Sequence, residues 1–227
     1  MNTKATGTGT VSYALCGEDL IIASLLRQVE SGTYIDVGAN HPSHVSNTLR
    51  LYEAGWSGLA VDGNGAFAPL WAQQRPRDMF VQALVSDAER DVEFAIFPDD
   101  TMSSMNPETA SRYASRFRDD EIQTQRARTT LVSTLRQTHL ADREIHLLCV
   151  DVEGEDLNVL RGADLAHMQP GVIVVETKGC SLHHAMEHEI VAYLTGLGYR
   201  LVAKSLLDAF FVWPDKPYLN WIPKSLL

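Results

Sequence analysis

Two stretches of this sequence bring together residue types that do chemistry. The first is the loop "DVGANHPSH", where an apolar run ends at Asp36 and turns through Gly38, Ala39 and Asn40 into His41 and Pro42. The second is a set of three carboxylates, Asp151 and Glu153 in "VDVEG" and Glu176 in "VVET", each at the end of a β-rich apolar run. Glycine after a strand lets the backbone approach a ligand closely, and in an open parallel sheet ligands bind beyond the carboxyl ends of the strands. Carboxylates converging at such an edge repel one another unless a cation or a shared proton lies between them. Two chemistries answer that repulsion: proton abstraction by a carboxylate, or a hard cation such as Mg²⁺ or Mn²⁺ held by oxygen ligands. Asp151, Glu153 and Glu176 are therefore candidates for both catalysis and metal binding. The plainer alternative is that they hydrogen-bond helix N-termini, Asp151 capping the helix that begins at Glu155.

His41 follows the loop directly, and an imidazole titrates near neutral pH, which makes it the candidate base. It serves equally well as a helix cap with Ser43 and Ser46. His184 and His188 stand four residues apart, as a metal pair on one helix face would, but without an HExxH pattern the spacing reads as a solvated face. Asp62 ends the next strand, at about the offset where an acid grips a ribose hydroxyl pair, with Asn64 close behind. A pyrophosphate would want an open helix N-terminus and further glycines, whereas Asn40, His41 and Pro42 fill this turn and Asp36 repels an anion. A cationic ligand suits the loop better. S-adenosylmethionine carries an ammonium and a sulfonium, so charge complementarity favours it over a nicotinamide dinucleotide.

These residues need strands and helices to place them. The runs "TYIDV", "GLAVD", "MFVQALVS", "IHLLCVDV" and "GVIVVET" alternate with helical stretches around "SNTLRLYEAG", "AFAPLWAQQ", "EDLNVLRGA" and "HHAMEHEIVAYLTGLG", which predicts a parallel sheet. "EDLIIASLLRQVESG" predicts a short amphipathic helix with Glu18 and Asp19 in its first turn. "DVEFAIF" alternates with period two and reads as an added antiparallel strand. The two β-rich runs of "YRLVAKSLLDAFFVWP" meet at a turn near Leu207 and Asp208, too short for a helical crossover, so they should pair antiparallel. From Pro98 to about Gln125 no clean period holds, and a loop of that length predicts a lid insertion near residues 98–128, with Ser103, Ser104 and Met105 lining an acceptor pocket or standing in exposed loop. The fold class is α/β: a Rossmann-like class I methyltransferase fold, a mostly parallel seven-stranded sheet with an antiparallel C-terminal hairpin and helices on both faces. Residues 1–10 should form a flexible lead and 11–227 a single domain.

Composition narrows the partners. With 19 Lys and Arg against 29 Asp and Glu, the net charge of -10 disfavours a nucleic-acid backbone. Arg112, Arg116, Arg118, Arg126 and Arg128 form a basic stretch, but Asp119, Asp120 and Glu121 lie within it and suggest a solvated mixed-charge face. Three cysteines without a CxxC fit a reducing cytoplasm, and no apolar run reaches the roughly 20 residues needed to cross a bilayer.

"YALCGEDLI", "YIDVGANHPSHVSNT", "YEAGWSGLAVDGN", "QALVSD", "LLCVDVEGEDLNVLRG" and "VIVVET" occur in the order seen in the FkbM family of S-adenosylmethionine-dependent methyltransferases, which this sequence resembles from Tyr13 to Thr177. The resemblance implies that Asp36, Gly38, Ala39 and Asn40 surround the methionine part of the cofactor and that Asp62, helped by Asn64, holds its ribose. It further implies that Ser86 and Asp87 meet the adenine edge, Asp151 borders the cofactor, and Glu18 and Asp19 belong to an entry motif that closes over it. Ala14 stands where the family often carries Gln. Members methylate hydroxyls of sugars and polyketide-type natural products, so the expected reaction is O-methylation of a small-molecule hydroxyl, with methylation of a carboxylate as the alternative. An NAD(P)-dependent oxidoreductase on a related sheet is the reading from another class. The expected partner is a small-molecule acceptor rather than a nucleic acid or membrane, and a homodimer is compatible with the sequence.

Overall fold

The computed structural model describes residues 10–141 and 143–226. Along the chain run α1 (Glu18–Leu25), β1 (Thr33–Val37), α2 (Leu49–Glu53), β2 (Ser57–Asp62), α3 (Ala68–Gln74), β3 (Met79–Gln82), β4 (Leu84–Val85) and β5 (Asp91–Ile96). There follow α4 (Pro107–Ala114), β6 (Gln123–Thr130), α5 (Val132–His139), β7 (Leu147–Val150), α6 (Asp156–Arg161), α7 (Leu165–Met168), β8 (Val172–Glu176), α8 (Glu189–Gly196), β9 (Arg200–Lys204) and β10 (Asp208–Val212).

Seven strands form the main sheet in the order β3-β2-β1-β7-β8-β10-β9. The first five are parallel to one another, and β10 runs antiparallel to both β8 and β9. This is a mixed α/β, mostly parallel sheet consistent with a methyltransferase fold. The order reverses at β1, whose neighbours are β2 and β7, and such a switch point opens a crevice at the carboxyl edge. β10 enters from that same edge, because its antiparallel register sets Asp208 opposite Glu176.

The central strands are apolar on both faces, as a covered parallel sheet requires. Alternation divides them between two cores. Ile35, Leu148, Ile173 and Phe211 face one side, under Val132 and Leu135 of α5, Val159 of α6 and Val191 of α8. Tyr34, Cys149, Val174 and Phe210 face the other, against Ile22 and Leu25 of α1, Leu51 of α2, and Leu219 and Ile222 near the C-terminus. Burying each such aliphatic side chain contributes roughly 1.5–3 kcal/mol, which fixes the strand register and hence the strand ends.

Several elements differ from the sequence reading. "MFVQALVS" is divided: β3 pairs with β2, then the chain leaves the sheet at Ala83, and β4 joins β6 and β5 in a separate three-stranded sheet. Polar alternation in β5 and β6 hid the pairing partner, because the main sheet has apolar central strands and this small one is half exposed. The stretch from 98 to 125 holds α4 and the start of β6. The long helix expected from His183 is interrupted: a 3-10 turn spans Leu182–Glu187 and His188 caps α8, accepting the Ile190 N–H on its ring nitrogen. His184 and His188 therefore share no helix face. None of the helices among the described residues is long and apolar enough to cross a membrane.

Candidate active site

The loops after β1, β2, β7 and β8 enclose a cavity of about 570 Å³ at the carboxyl edge. Of the residues singled out from sequence, Gly38, Asn40, His41, Asp62, Asp151, Glu153 and Glu176 line it. Asp36, Ala39, Asn64, Ser86, Asp87 and Glu18 stand outside its wall.

Gly38 has φ +81, and a Cβ there would meet the Asp151 carbonyl oxygen at 1.7 Å. Only glycine lets the β1 and β7 ends cross this closely, and that crossing brings Asp151 to the loop that follows β1. Asp62 ties the next pair of loops together: its Oδ2 accepts the Asn40 N–H at 2.9 Å and its Oδ1 the Asn64 N–H at 2.7 Å. Burial pushes Asp62 up to about 6 despite those two donors. Each oxygen has a further lone pair, so the carboxylate can still accept hydroxyls.

The Asp36 carboxylate is buried and accepts the Thr48 hydroxyl at 2.7 Å. It belongs to a network that the sequence did not disclose, centred on the fully buried Arg75. Arg75 pairs with Asp78 at 2.7 Å and donates to the Pro42 carbonyl, Ser46, Tyr34 and Thr48. Its guanidinium lies 4.3 Å from the Trp71 ring centroid, and the Trp71 indole donates to the Asn40 carbonyl at 2.8 Å. The 40–48 loop is thus held from beneath by one buried cation. The only local signal is an arginine at the end of a helix, which is ordinary on a surface.

His41 Nδ1 accepts the N–H groups of Ser43 and His44 at 3.2 and 3.1 Å. In the neutral ring the proton then resides on Nε2, which makes that atom a donor. His41 thus braces the turn that follows it rather than a helix end, since α2 begins at Leu49, whose N–H is accepted by Ser46. Ser86 and Asp87 form a bridge with Arg90, whose Nη1 lies 2.5 Å from Asp87. In the entry segment, Asp19 accepts from Ser12, Tyr13 N–H and Arg50, Glu18 accepts the Cys16 N–H, and Leu15 reaches the cavity.

Asp151, Glu153 and Glu176 each offer an oxygen within 4.8 Å of the others. Asp151 is open to the cavity, yet desolvation by the protein packed around it and the adjacent Glu176 push its carboxyl well above the carboxylate range. Burial and Glu153 push Glu176 up to about 7. The donor set fits a hard divalent ion, yet the chain supplies a cation of its own: Lys178 Nζ lies 2.9 Å from Glu153 Oε1 and 3.4 Å from Glu176 Oε1. Burial alone would lower the Lys178 ammonium, but the hydrogen bond to Glu153 and the charge of Glu176 raise it, so it stays protonated. Tyr113, from α4, donates to Glu153 Oε2 at 2.7 Å and accepts from Lys178 at 3.1 Å.

The insertion is fastened here by further contacts. Ser104 donates to the Glu153 carbonyl at 2.7 Å, Asn106 Nδ2 to Glu155 at 3.1 Å, and Gly154, at φ +104, leaves room for Thr109. Asp99, Asp100, Ser103 and Met105 complete that wall of the cavity.

A methyltransferase FkbM domain model matches residues 36–201, well over half of the chain. The chain belongs to the FkbM methyltransferase family. No curated protein matches it. The family match spans Asp36, Asp62, Asp151, Glu153, Glu176 and Lys178, so the FkbM domain includes the insertion and all of the crevice wall except Leu15 and Leu207. Glu18 and Asp208 lie outside the matched span.

Proposed function

We propose that this FkbM-family protein is an S-adenosylmethionine-dependent O-methyltransferase acting on a hydroxyl of a small molecule, of the sugar or polyketide kind. The carrying observation is the charge of the crevice: Asp62, Asp99, Asp100, Asp151, Glu153 and Glu176 line one cavity, with Lys178 as its ammonium. Such a wall attracts a sulfonium and an ammonium and repels a pyrophosphate, which separates a methyl donor from a dinucleotide. The strand order and the two antiparallel pairings of β10 support the class I methyltransferase architecture.

When bound, the donor supplies a methyl group already activated by its sulfonium. Asp62 accepts the ribose hydroxyls, and the Gly38–Asn40 loop receives the methionine portion. His41 donates from Nε2. Asp151, reachable from the cavity and with an elevated affinity for a proton, takes the proton of the acceptor hydroxyl. A positioned base of this kind contributes about 10²–10⁴-fold. A reacting carboxylate would need no base and leave Asp151 without a role, so a hydroxyl is the better fit. The Lys178 ammonium fills the cation role among the strand-end acids. A divalent ion, if held, would take Asp151, Glu153 and Glu176 as ligands and lower the acceptor's pKa instead.

Calorimetry tests the cofactor reading. Wild-type protein should bind S-adenosylhomocysteine and give no heat with NAD(H) or NADP(H), and Asp62→Ala should weaken the interaction at least about tenfold. Undiminished affinity in that variant would remove Asp62 from the site, and no binding by the wild type would end the reading.

A further inference from the structure

Resting on the methyltransferase reading, we propose that a second cavity beside the crevice holds the acceptor through an anionic oxygen group, a phosphate or carboxylate, bound between Arg112 and Arg116. This cavity, of about 490 Å³, lies between α4 and the start of α8. Glu153, Glu176 and Lys178 line both it and the cofactor crevice, so the two spaces are neighbours with those three side chains between them. In the proposed pose an acceptor that presents its hydroxyl to Asp151 passes these side chains to reach the second space.

The arginines of this region fall into two groups. Arg118 pairs with Asp120 and Glu121, Arg126 with Glu93, and Arg128 with Glu89 and Asp91. Arg112 and Arg116 have no carboxylate partner among the described residues, and Arg116 reaches Met102 Sδ at 3.8 Å. Both line the second cavity. Their guanidinium carbons stand 5.0 and 5.1 Å from the Tyr113 ring centroid, within about 10 Å of each other. Of the acids lining this cavity, Asp156 accepts the Val152 and Gly154 N–H groups, Glu153 holds Lys178 and Tyr113, and Glu176 lies 3.4 Å from Lys178, while Glu189 has no ion-pair partner among the described residues. What is left over is two guanidinium groups against one carboxylate, Glu189, on the wall of a cavity, and guanidinium forks are the groups that receive an oxyanion through paired N–H donors. Tyr113 connects the two sites, since the ring that carries the arginines also holds Glu153 and Lys178 through its hydroxyl.

The test is calorimetry on the full chain loaded with S-adenosylhomocysteine, titrated with inorganic phosphate and separately with acetate at ionic strength fixed by chloride. Wild type should bind one or both, and the R112Q/R116Q double variant should weaken that binding about tenfold or more. Its circular dichroism and its S-adenosylhomocysteine affinity should stay unchanged. Phosphate binding tighter than acetate assigns a phosphorylated acceptor, and the reverse a carboxylated one. Anion binding that is equal in the double variant, or missing in wild type, overturns the proposal. Failure of wild type to bind S-adenosylhomocysteine overturns the cofactor reading instead, and the phosphate titration of unloaded protein then reads the arginine pair by itself.

Discussion

Lys178 Nζ sits 2.9 Å from Glu153 Oε1, with Glu176 Oε1 at 3.4 Å, so one ammonium neutralises acids carried on two different strand-end loops. The pair is half solvated on the lysine side, and its role is to place charge more than to add stability.

Removing that ammonium should convert the cluster into a cation trap. Lys178→Gln is expected to gain affinity for Mn²⁺, read by calorimetry or electron paramagnetic resonance, while wild-type methyl transfer persists in excess chelator. Loss of wild-type activity on chelation, with recovery on adding Mg²⁺, would show that a metal displaces the ammonium in the working protein.

Asp151→Asn should lower kcat by about 10²–10⁴-fold with S-adenosylhomocysteine binding kept, because only the proton acceptor is lost. His41→Gln, which keeps a side-chain donor, should cost far less. Because Asp151 is raised well above the carboxylate range and Glu176 stands near 7, the wild-type rate should climb as pH rises through neutrality rather than near pH 4. A flat profile from pH 5 to 8, or a larger loss from the His41 change, would move the base elsewhere.

Asp208 offers a stability readout that does not depend on the reaction. It lies opposite Glu176, and burial followed by the neighbouring Glu18 pushes it up to about 7. A carboxyl raised in the folded state binds its proton more tightly there than in the unfolded chain. Its favourable contribution is complete below its ordinary range near 3.8 and is lost as pH rises through about 7. Above that pH the withheld stability is at most about 4 kcal/mol. Asp208→Asn should therefore raise the thermal midpoint relative to wild type at pH 8 and much less at pH 4.5. An equal shift at both values would deny that Asp208 titrates with folding.

Arg75 should be among the costliest positions in the chain. Arg75→Met leaves Asp78 as a buried charge without its partner and frees the 40–48 loop, an arrangement that costs about 3–5 kcal/mol. Denaturant unfolding measures this directly, and a change below about 1 kcal/mol would mean that the network is not what holds the loop.

The contrast between Asp62 and Asp36 shows how far local reading reaches. Both were assigned from strand-end position and both are at strand ends, yet Asp62 lines the crevice while Asp36 points into the Thr48 and Arg75 network. Strand periodicity gives the face of a side chain, but its partner comes from whatever helix packs there. Likewise, the five arginines between 112 and 128 look alike in sequence, and it is the pairing of β5 with β6 that brings Arg126 and Arg128 to acids distant in the chain.

By itself the sequence determined the alternation of apolar runs and helices, the main parallel sheet, and the placing of Gly38, Asp62, Asp151, Glu153 and Glu176 at its carboxyl edge. These follow from short-range patterns, period two or 3.6 with turn residues at the ends. Tertiary structure alone decided that Lys178 is the counter-ion of that edge, that Arg75 carries the 40–48 loop from below, that Tyr113 fastens the insertion to the acids, and that desolvation raises Asp62, Asp151, Glu176 and Asp208. Each of these depends on groups far apart in the chain meeting inside protein, where desolvation and single charges act strongly and no local pattern records the partner.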